Sequence, residues 1–171
     1  MTATEKSILI ALGSNLSHPT WGNPPAILAA AIEMLARAEV STRRCSSIWR
    51  SAAWPNPADP PYANAVIAVE TALSPVELLA LLHRIETAFG RERGALNAPR
   101  TLDLDLIAYG NLVRDGADGP QLPHPRAQDR AFVLRPLAEV APAWRHPISG
   151  TGIAELLAAL PADQTCGLWD A

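Results

Sequence analysis

The sequence predicts an α/β (α+β) fold, a ferredoxin-like sandwich in which a mainly antiparallel sheet carries helices packed on one face. Three observations lead there. Apolar runs of strand character alternate with helical patterns in the order β-α-β-β-α-β. The second and third strand-like runs follow one another with no helix between them, as antiparallel neighbours do. Prolines cluster in "HPTWGNPP", "WPNPADPP" and "PQLPHP", which marks those stretches as connections, because proline lacks the N–H that ladders and helix interiors need.

Each element has its own signal. "KSILIALGSN" is a short apolar run ending in Gly13-Ser14-Asn15, a buried strand entering a turn. "PPAILAAAIEMLARA" is rich in alanine and spaces Leu28, Ile32 and Leu35 as one helical face. "EVSTRRCSSIWRS" and "YANAVIAVETA" read as two strands joined by the proline-rich loop 52–61. The second helix is the best marked: Ser74 suits the N-cap, Pro75 the first helical position, and Glu77 completes a capping box. Leu78, Leu82, Ile85 and Phe89 form its apolar stripe, and Gly90 its stop. After the basic segment "RERGALNAPR" comes the strand "LDLDLIAYG", then "AFVLRPLAEVAP" and "GIAELLAALP" as short helices.

Composition narrows the function classes. The length suits one domain over residues 1–171, and an apolar share of 49% with 18% charged residues excludes a disordered chain. A net charge of −3 gives no general attraction to nucleic acid or anionic membrane. No apolar run approaches the roughly 18 residues of a spanning helix, and the N-terminal run is too short for a secretory signal, so the expectation is a cytoplasmic protein. Cys45 and Cys166 read as reduced thiols. The chain has no P-loop, nucleophile elbow or H-E-x-x-H motif, and Lys6 is its only lysine, which disfavours Schiff-base chemistry.

The chemistry concentrates in "PRTLDLDLIAYG". Successive side chains of a strand alternate faces, so Asp103 and Asp105 share one face about 6.6 Å apart along the chain, with Leu102, Leu104 and Leu106 on the other. Two buried like charges without a partner cost several kcal/mol, roughly, so a positive group is expected over them. A hard divalent cation such as Mg²⁺ meets that need with phosphate oxygens and water completing its shell. The alternative is an edge strand whose aspartates are simply solvated. Arg91, Arg93 and Arg100 precede the strand, and guanidinium groups beside metal-binding carboxylates are what a polyphosphate requires, although such a run also suits a solvated face. Downstream, "LPHPRAQDRAF" supplies His124, Arg126, Arg130 and Phe132; His124 sits on a constrained loop, as either a phosphate donor or a structural residue.

The ordered set "ALGSN", "YANAVIAVET", "SPVELLALLHRIETAFGRER", "APRTLDLDLIAYG" and "LPHPRAQDRAFVLRPLAEVAP" resembles the 6-hydroxymethyl-7,8-dihydropterin pyrophosphokinases of folate biosynthesis over roughly residues 7 to 160. That family is ferredoxin-like and moves the β,γ-pyrophosphoryl group of ATP to the pterin hydroxymethyl oxygen, leaving AMP. The resemblance implies Asp103 and Asp105 as ligands of two Mg²⁺, with Asp103 also near the pterin, and Arg91 and Arg100 as catalytic groups. It implies Glu86, Arg91, Arg93, Arg100, His124 and Arg130 at the nucleotide. Tyr62 and Phe132 would sandwich the pterin, Asn64 would bond its polar edge, and Gly13, Ser51 and Trp54 would complete the pocket; from the residues alone, Tyr62 and Phe132 read equally as core. Loops 15–25, 50–61 and 91–99 are expected to order around the substrates. ATP and the pterin are the implied partners of a monomer, without nucleic acid or membrane. Three positions depart from the better-known bacterial pattern: Asn97 stands near where a tryptophan caps the site, Pro125 replaces an aromatic, and Ala52-Ala53 replace Pro-Pro. The rival readings are another Mg²⁺-dependent nucleotide transferase using the D-x-D pair and a non-catalytic ferredoxin-like binding module.

Overall fold

The computed structural model describes residues 7–90 and 101–170. Its elements follow in the order β1 (Ile8–Ser14), α1 (Pro24–Arg37), β2 (Ser41–Cys45), β3 (Trp49–Ser51), β4 (Tyr62–Glu70), α2 (Pro75–Ala88), β5 (Asp103–Tyr109), β6 (Arg114–Asp115), β7 (Gln121–Leu122), α3 (Ala131–Val140), α4 (Ile153–Ala158) and β8 (Cys166–Leu168). The main sheet runs β5-β1-β4-β3-β8, with β2 also paired to β4, and every pairing is antiparallel. "EVSTRRCSSIWRS" thus yields two short strands, β2 and β3, that pair with successive stretches of β4.

Helix ends form where their chemistry directs. Ser74 accepts a hydrogen bond from the Glu77 N–H while the Glu77 carboxylate accepts from the Ser74 N–H, the reciprocal box read from sequence. Gly90 takes φ +85°, a left-handed conformation open to glycine at little cost. Asn23 caps α1 by accepting from the Ala26 N–H.

The expected placement of helices on one face is corrected by the packing. Two separate apolar clusters cover the two faces of the sheet. Ile8, Ile10, Leu12, Ile67 and Leu104 pack under α1 and α2, with Leu28, Leu82 and Phe89 fully buried between them. Leu9, Ala11, Val66 and Ile107 pack under α3 and α4 through Val133, Leu137 and Ile153. The continuous apolar runs of β1 and β4 need this arrangement, since a strand apolar on both faces must be covered on both.

Strand β5 is the end strand of the described sheet, so the edge position weighed for the aspartates is the one observed. Its free side is nevertheless engaged. Glu86 of α2 accepts from the Leu104 N–H at 3.0 Å, and the His124 N–H donates to the Ile107 carbonyl at 2.8 Å. The register shifts between Leu9 and Ile10, leaving Ile107 as the extra residue of a bulge.

Candidate active site

Cross-strand register assembles the site. Gly13 of β1 stands opposite Asp103 on one side and Asn64 on the other, and Ala11 likewise stands between Asp105 and Val66. Directly paired residues project from the same face, so Asp103, Gly13 and Asn64 form one row and Asp105, Ala11 and Val66 the next. This is the α3 face. Between the row ends and the N-terminus of α3 lies a cavity of about 520 Å³, lined by Gly13, Ser51, Trp54, Tyr62, Asn64, Asp103, Asp105, Arg130 and Phe132 among others. A larger groove of about 880 Å³ at the opposite end of the sheet has no comparable set of groups, and its Arg43 is engaged with Glu70.

The glycine forms the floor. A Cβ at Gly13 would lie 3.6 Å from Asn64 Oδ1 and 3.7 Å from Tyr62 Cδ1, ordinary contact distances, so the space above the backbone is open and bordered by those two side chains. Asn64 is buried, and its Nδ2 donates to Ser51 Oγ at 2.9 Å and, more weakly, toward the Trp49 and Tyr62 carbonyls. Those acceptors turn its carbonyl oxygen toward Gly13 and the cavity. Trp54, 72% exposed, overhangs from the loop after β3, and Phe132 flanks the other side.

The charged wall comes from segment 126–132, and His124 stands beside Asp105 without lining the cavity. Arg130 places its guanidinium 5.5 Å from the Phe132 ring centroid. Burial, followed by the neighbouring Arg126, pushes the Arg130 pKa down from its ordinary value, while Asp105 and Asp103 oppose that shift. Arginine remains a cation regardless. His124 Nε2 lies 3.9 Å from Asp105 Oδ1. Burial, then the Arg130 charge, lowers the His124 pKa, with Asp103 acting in the opposite sense. Its Nδ1 accepts from the Arg126 N–H at 3.2 Å, which assigns the proton of the neutral ring to Nε2, the atom facing the aspartates.

Glu86, expected at the nucleotide, is 1% exposed and supports β5 from behind through the Leu104 amide; it does not line the cavity. Arg91, Arg93 and Arg100 fall outside the described residues, as does Asn97. Sequence reasoning assigned no role to Asp129, Asp163, Gln164 or Thr165, nor a specific one to Arg126, yet all five line the cavity. For Arg126 the signal was its place in "HPRAQDR"; the residues at 163–165 carry no motif, and only tertiary folding brings them there.

Comparison with known proteins accords with this geometry. A family model described as 7,8-dihydro-6-hydroxymethylpterin-pyrophosphokinase matches residues 9–142. Over 149 residues the chain is 43% identical to a 2-amino-4-hydroxy-6-hydroxymethyldihydropteridine pyrophosphokinase of Synechocystis sp., covering 87% of this chain and 73% of that one. It is 40% identical over 156 residues to the protein of the same name in Pseudomonas aeruginosa, covering 90% and 91% respectively. Among solved structures, Plasmodium falciparum HPPK-DHPS superposes with a TM-score of 0.70 at 12% identity, over 89% of this chain and 44% of that longer one, which shows a common fold. The match spans most of the sequence and includes Asp103 and Asp105 of the cavity, and the chain belongs to the 7,8-dihydro-6-hydroxymethylpterin-pyrophosphokinase family.

Proposed function

We propose that the cleft between β1, β4, β5 and the start of α3 is where this chain carries out its family's reaction. The chain transfers the β,γ-pyrophosphoryl group of ATP to the hydroxymethyl oxygen of 6-hydroxymethyl-7,8-dihydropterin, giving AMP and the pterin diphosphate in folate biosynthesis. The observation that carries the assignment of roles is the row Asp103-Gly13-Asn64, which sets a carboxylate, a side-chain-free floor and an amide oxygen side by side. A flat heterocycle fits over the floor between Tyr62 and Phe132, with Asn64 Oδ1 accepting from its amino edge and its hydroxymethyl arm directed at Asp103.

Two carboxylates on one strand face, bordered by the cavity, suit Mg²⁺, which takes few protein ligands and fills its shell with phosphate oxygens and water. Asp103 and Asp105 would hold two such ions; bound there, Mg²⁺ supplies charge neutralisation on the polyphosphate and acidifies the attacking hydroxyl. The remaining work falls to the chain. Arg130 and His124 Nε2–H hold phosphate oxygens, and the family resemblance assigns Arg91, Arg93 and Arg100 to the same group. Glu86 keeps β5 in place by retaining the Leu104 amide. Orientation and charge stabilisation, more than a strong base, accelerate an in-line displacement at the β-phosphorus. In this reading the chain is a cytoplasmic monomer of one domain whose partners are the two small substrates.

The test is an AMP-release assay with and without the hydroxymethyl dihydropterin, and with and without Mg²⁺. AMP formation dependent on both is expected. Release of inorganic pyrophosphate or a nucleoside diphosphate instead would assign another transferase, and metal-independent nucleotide binding without turnover would assign a binding module.

A further inference from the structure

One wall of the cleft comes from the C-terminal segment, beyond the residues matched by the family model. Gln164 in that wall makes two hydrogen bonds that bracket a single residue. Its Oε1 accepts from the Ala131 N–H at 2.9 Å, and its Nε2 donates to the Asp129 carbonyl at 2.7 Å. These groups belong to the two peptide units on either side of Arg130. Peptide units are planar, so the only rotations between them are the φ and ψ of Arg130, which stands extended at −122° and 113° as the N-cap of α3 with no side-chain cap of its own. Holding both units fixes the direction in which the Arg130 side chain leaves the backbone.

The clamp is itself anchored. Two residues later the chain enters β8, whose Cys166, Gly167 and Leu168 pair with Ser51, Arg50 and Trp49 of β3. The Trp169 N–H then donates to the Ile48 carbonyl at 2.9 Å, and the Arg50 guanidinium lies 5.7 Å from the Trp169 ring. Gln164 therefore reaches Arg130 from a segment fastened to the opposite bank of the cleft, the bank that carries Ser51.

We propose that Gln164 is a positioning residue for pyrophosphoryl transfer, its carboxamide holding the Arg130 backbone so that the guanidinium meets the polyphosphate. This rests on the functional reading above, in which Arg130 binds the transferred group. Misplacing such a group by about 1 Å can cost on the order of a hundredfold in rate; loss of an exposed clamp, with the helix still in place, should cost less.

A double-mutant cycle separates positioning from general support. Gln164→Ala is expected to lower kcat about tenfold in the otherwise native chain and less than twofold in an Arg130→Ala background, because the clamp acts through that side chain. Gln164→Glu, which keeps the acceptor for Ala131 but lacks the donor for Asp129 when ionised, should fall between. Hydrogen exchange of the Ala131 amide should quicken in Gln164→Ala, a readout that needs no turnover. An active parent chain in which Gln164→Ala leaves kcat unchanged, or lowers it by the same factor in both backgrounds, would overturn the proposal alone. A parent chain that releases no AMP would overturn the functional reading and this inference with it.

Discussion

Gly13→Ala tests the geometry of the floor with one methyl group. The added Cβ would meet Asn64 Oδ1 at 3.6 Å, Tyr62 Cδ1 at 3.7 Å and the Ala63 carbonyl at 4.0 Å, so the free protein accommodates it without displacement. The φ of Gly13 is not in the left-handed region, and alanine in a strand loses less backbone entropy on folding than glycine, a gain of about 0.5–1 kcal/mol. The variant should therefore be as stable as the parent or slightly more so. A flat ring over the floor is another matter, because the methyl occupies the space it would enter, and forcing an extra methyl into a packed contact costs about 1–3 kcal/mol. At about 1.4 kcal/mol per tenfold, pterin binding should weaken by roughly 5- to 150-fold. Calorimetric titration of the pterin in the presence of a non-hydrolysable ATP analogue measures this, and thermal melting supplies the stability control. Unchanged pterin affinity with unchanged melting temperature would refute the placement of the pterin over the Asp103-Gly13-Asn64 row.

Asp105→Ala should nearly abolish AMP release while pterin binding stays measurable; retention of full turnover would remove this carboxylate from the mechanism. Glu86→Ala leaves the buried Leu104 N–H without its acceptor, at a cost of about 1–3 kcal/mol, and should lower the melting temperature and quicken exchange of the Leu104 amide. An unaltered melting curve would show the contact to be dispensable. His146 is buried, and its Nδ1 accepts at 3.3 Å from the Ile148 and Ser149 N–H groups. Burial lowers its pKa, so the folded state favours the neutral ring: the contribution to stability is complete above the unfolded value of about 6.5 and is lost as pH falls through the folded pKa. His146→Asn, which keeps an acceptor but does not titrate, should flatten the decline in melting temperature between about pH 7 and about pH 5. A decline as steep as the parent's would mean that His146 contributes nothing to it.

How legible the molecule was depended on the range of the interaction. The capping box at Ser74 and Glu77 is local chemistry, complete within four residues, and the structure reproduces it. Strand and helix character in β1, α1, β4 and α2 follows from periodicity in the same way. Both α3 and α4 were legible as short helices, but their place on the second face was not, because their patterns do not reveal which face of a sheet they cover. The cue was present in Leu9 and Ala11, which alternate with Ile10 and Leu12 without a polar face, as a strand buried on both sides requires. The D-x-D spacing places two carboxylates together by local geometry alone, whereas the companionship of Gly13 and Asn64 depends on register across three strands. Gln164 was invisible because its partners are backbone groups 33 and 35 residues away.

The edge position of β5 explains how the chain tolerates paired aspartates without losing its sheet. In a central strand covered on both faces, both carboxylates would forfeit hydration, and the folded state would depend on a cation to offset the penalty. At the end of the sheet the Asp105 side chain keeps 32% of its exposure, so its charge stays partly solvated before any ligand arrives. An edge strand ordinarily leaves its outer N–H and C=O groups free to pair with other chains. Here the Leu104 N–H is taken by Glu86 and the Ile107 carbonyl by the His124 N–H. Those two contacts join β5 to α2 on one side and to the loop bearing His124 on the other, so the groups that cover the edge also determine where the aspartates point. Glu86 and the His124 backbone thus do their work from outside the cavity, by holding the strand from which Asp103 and Asp105 project.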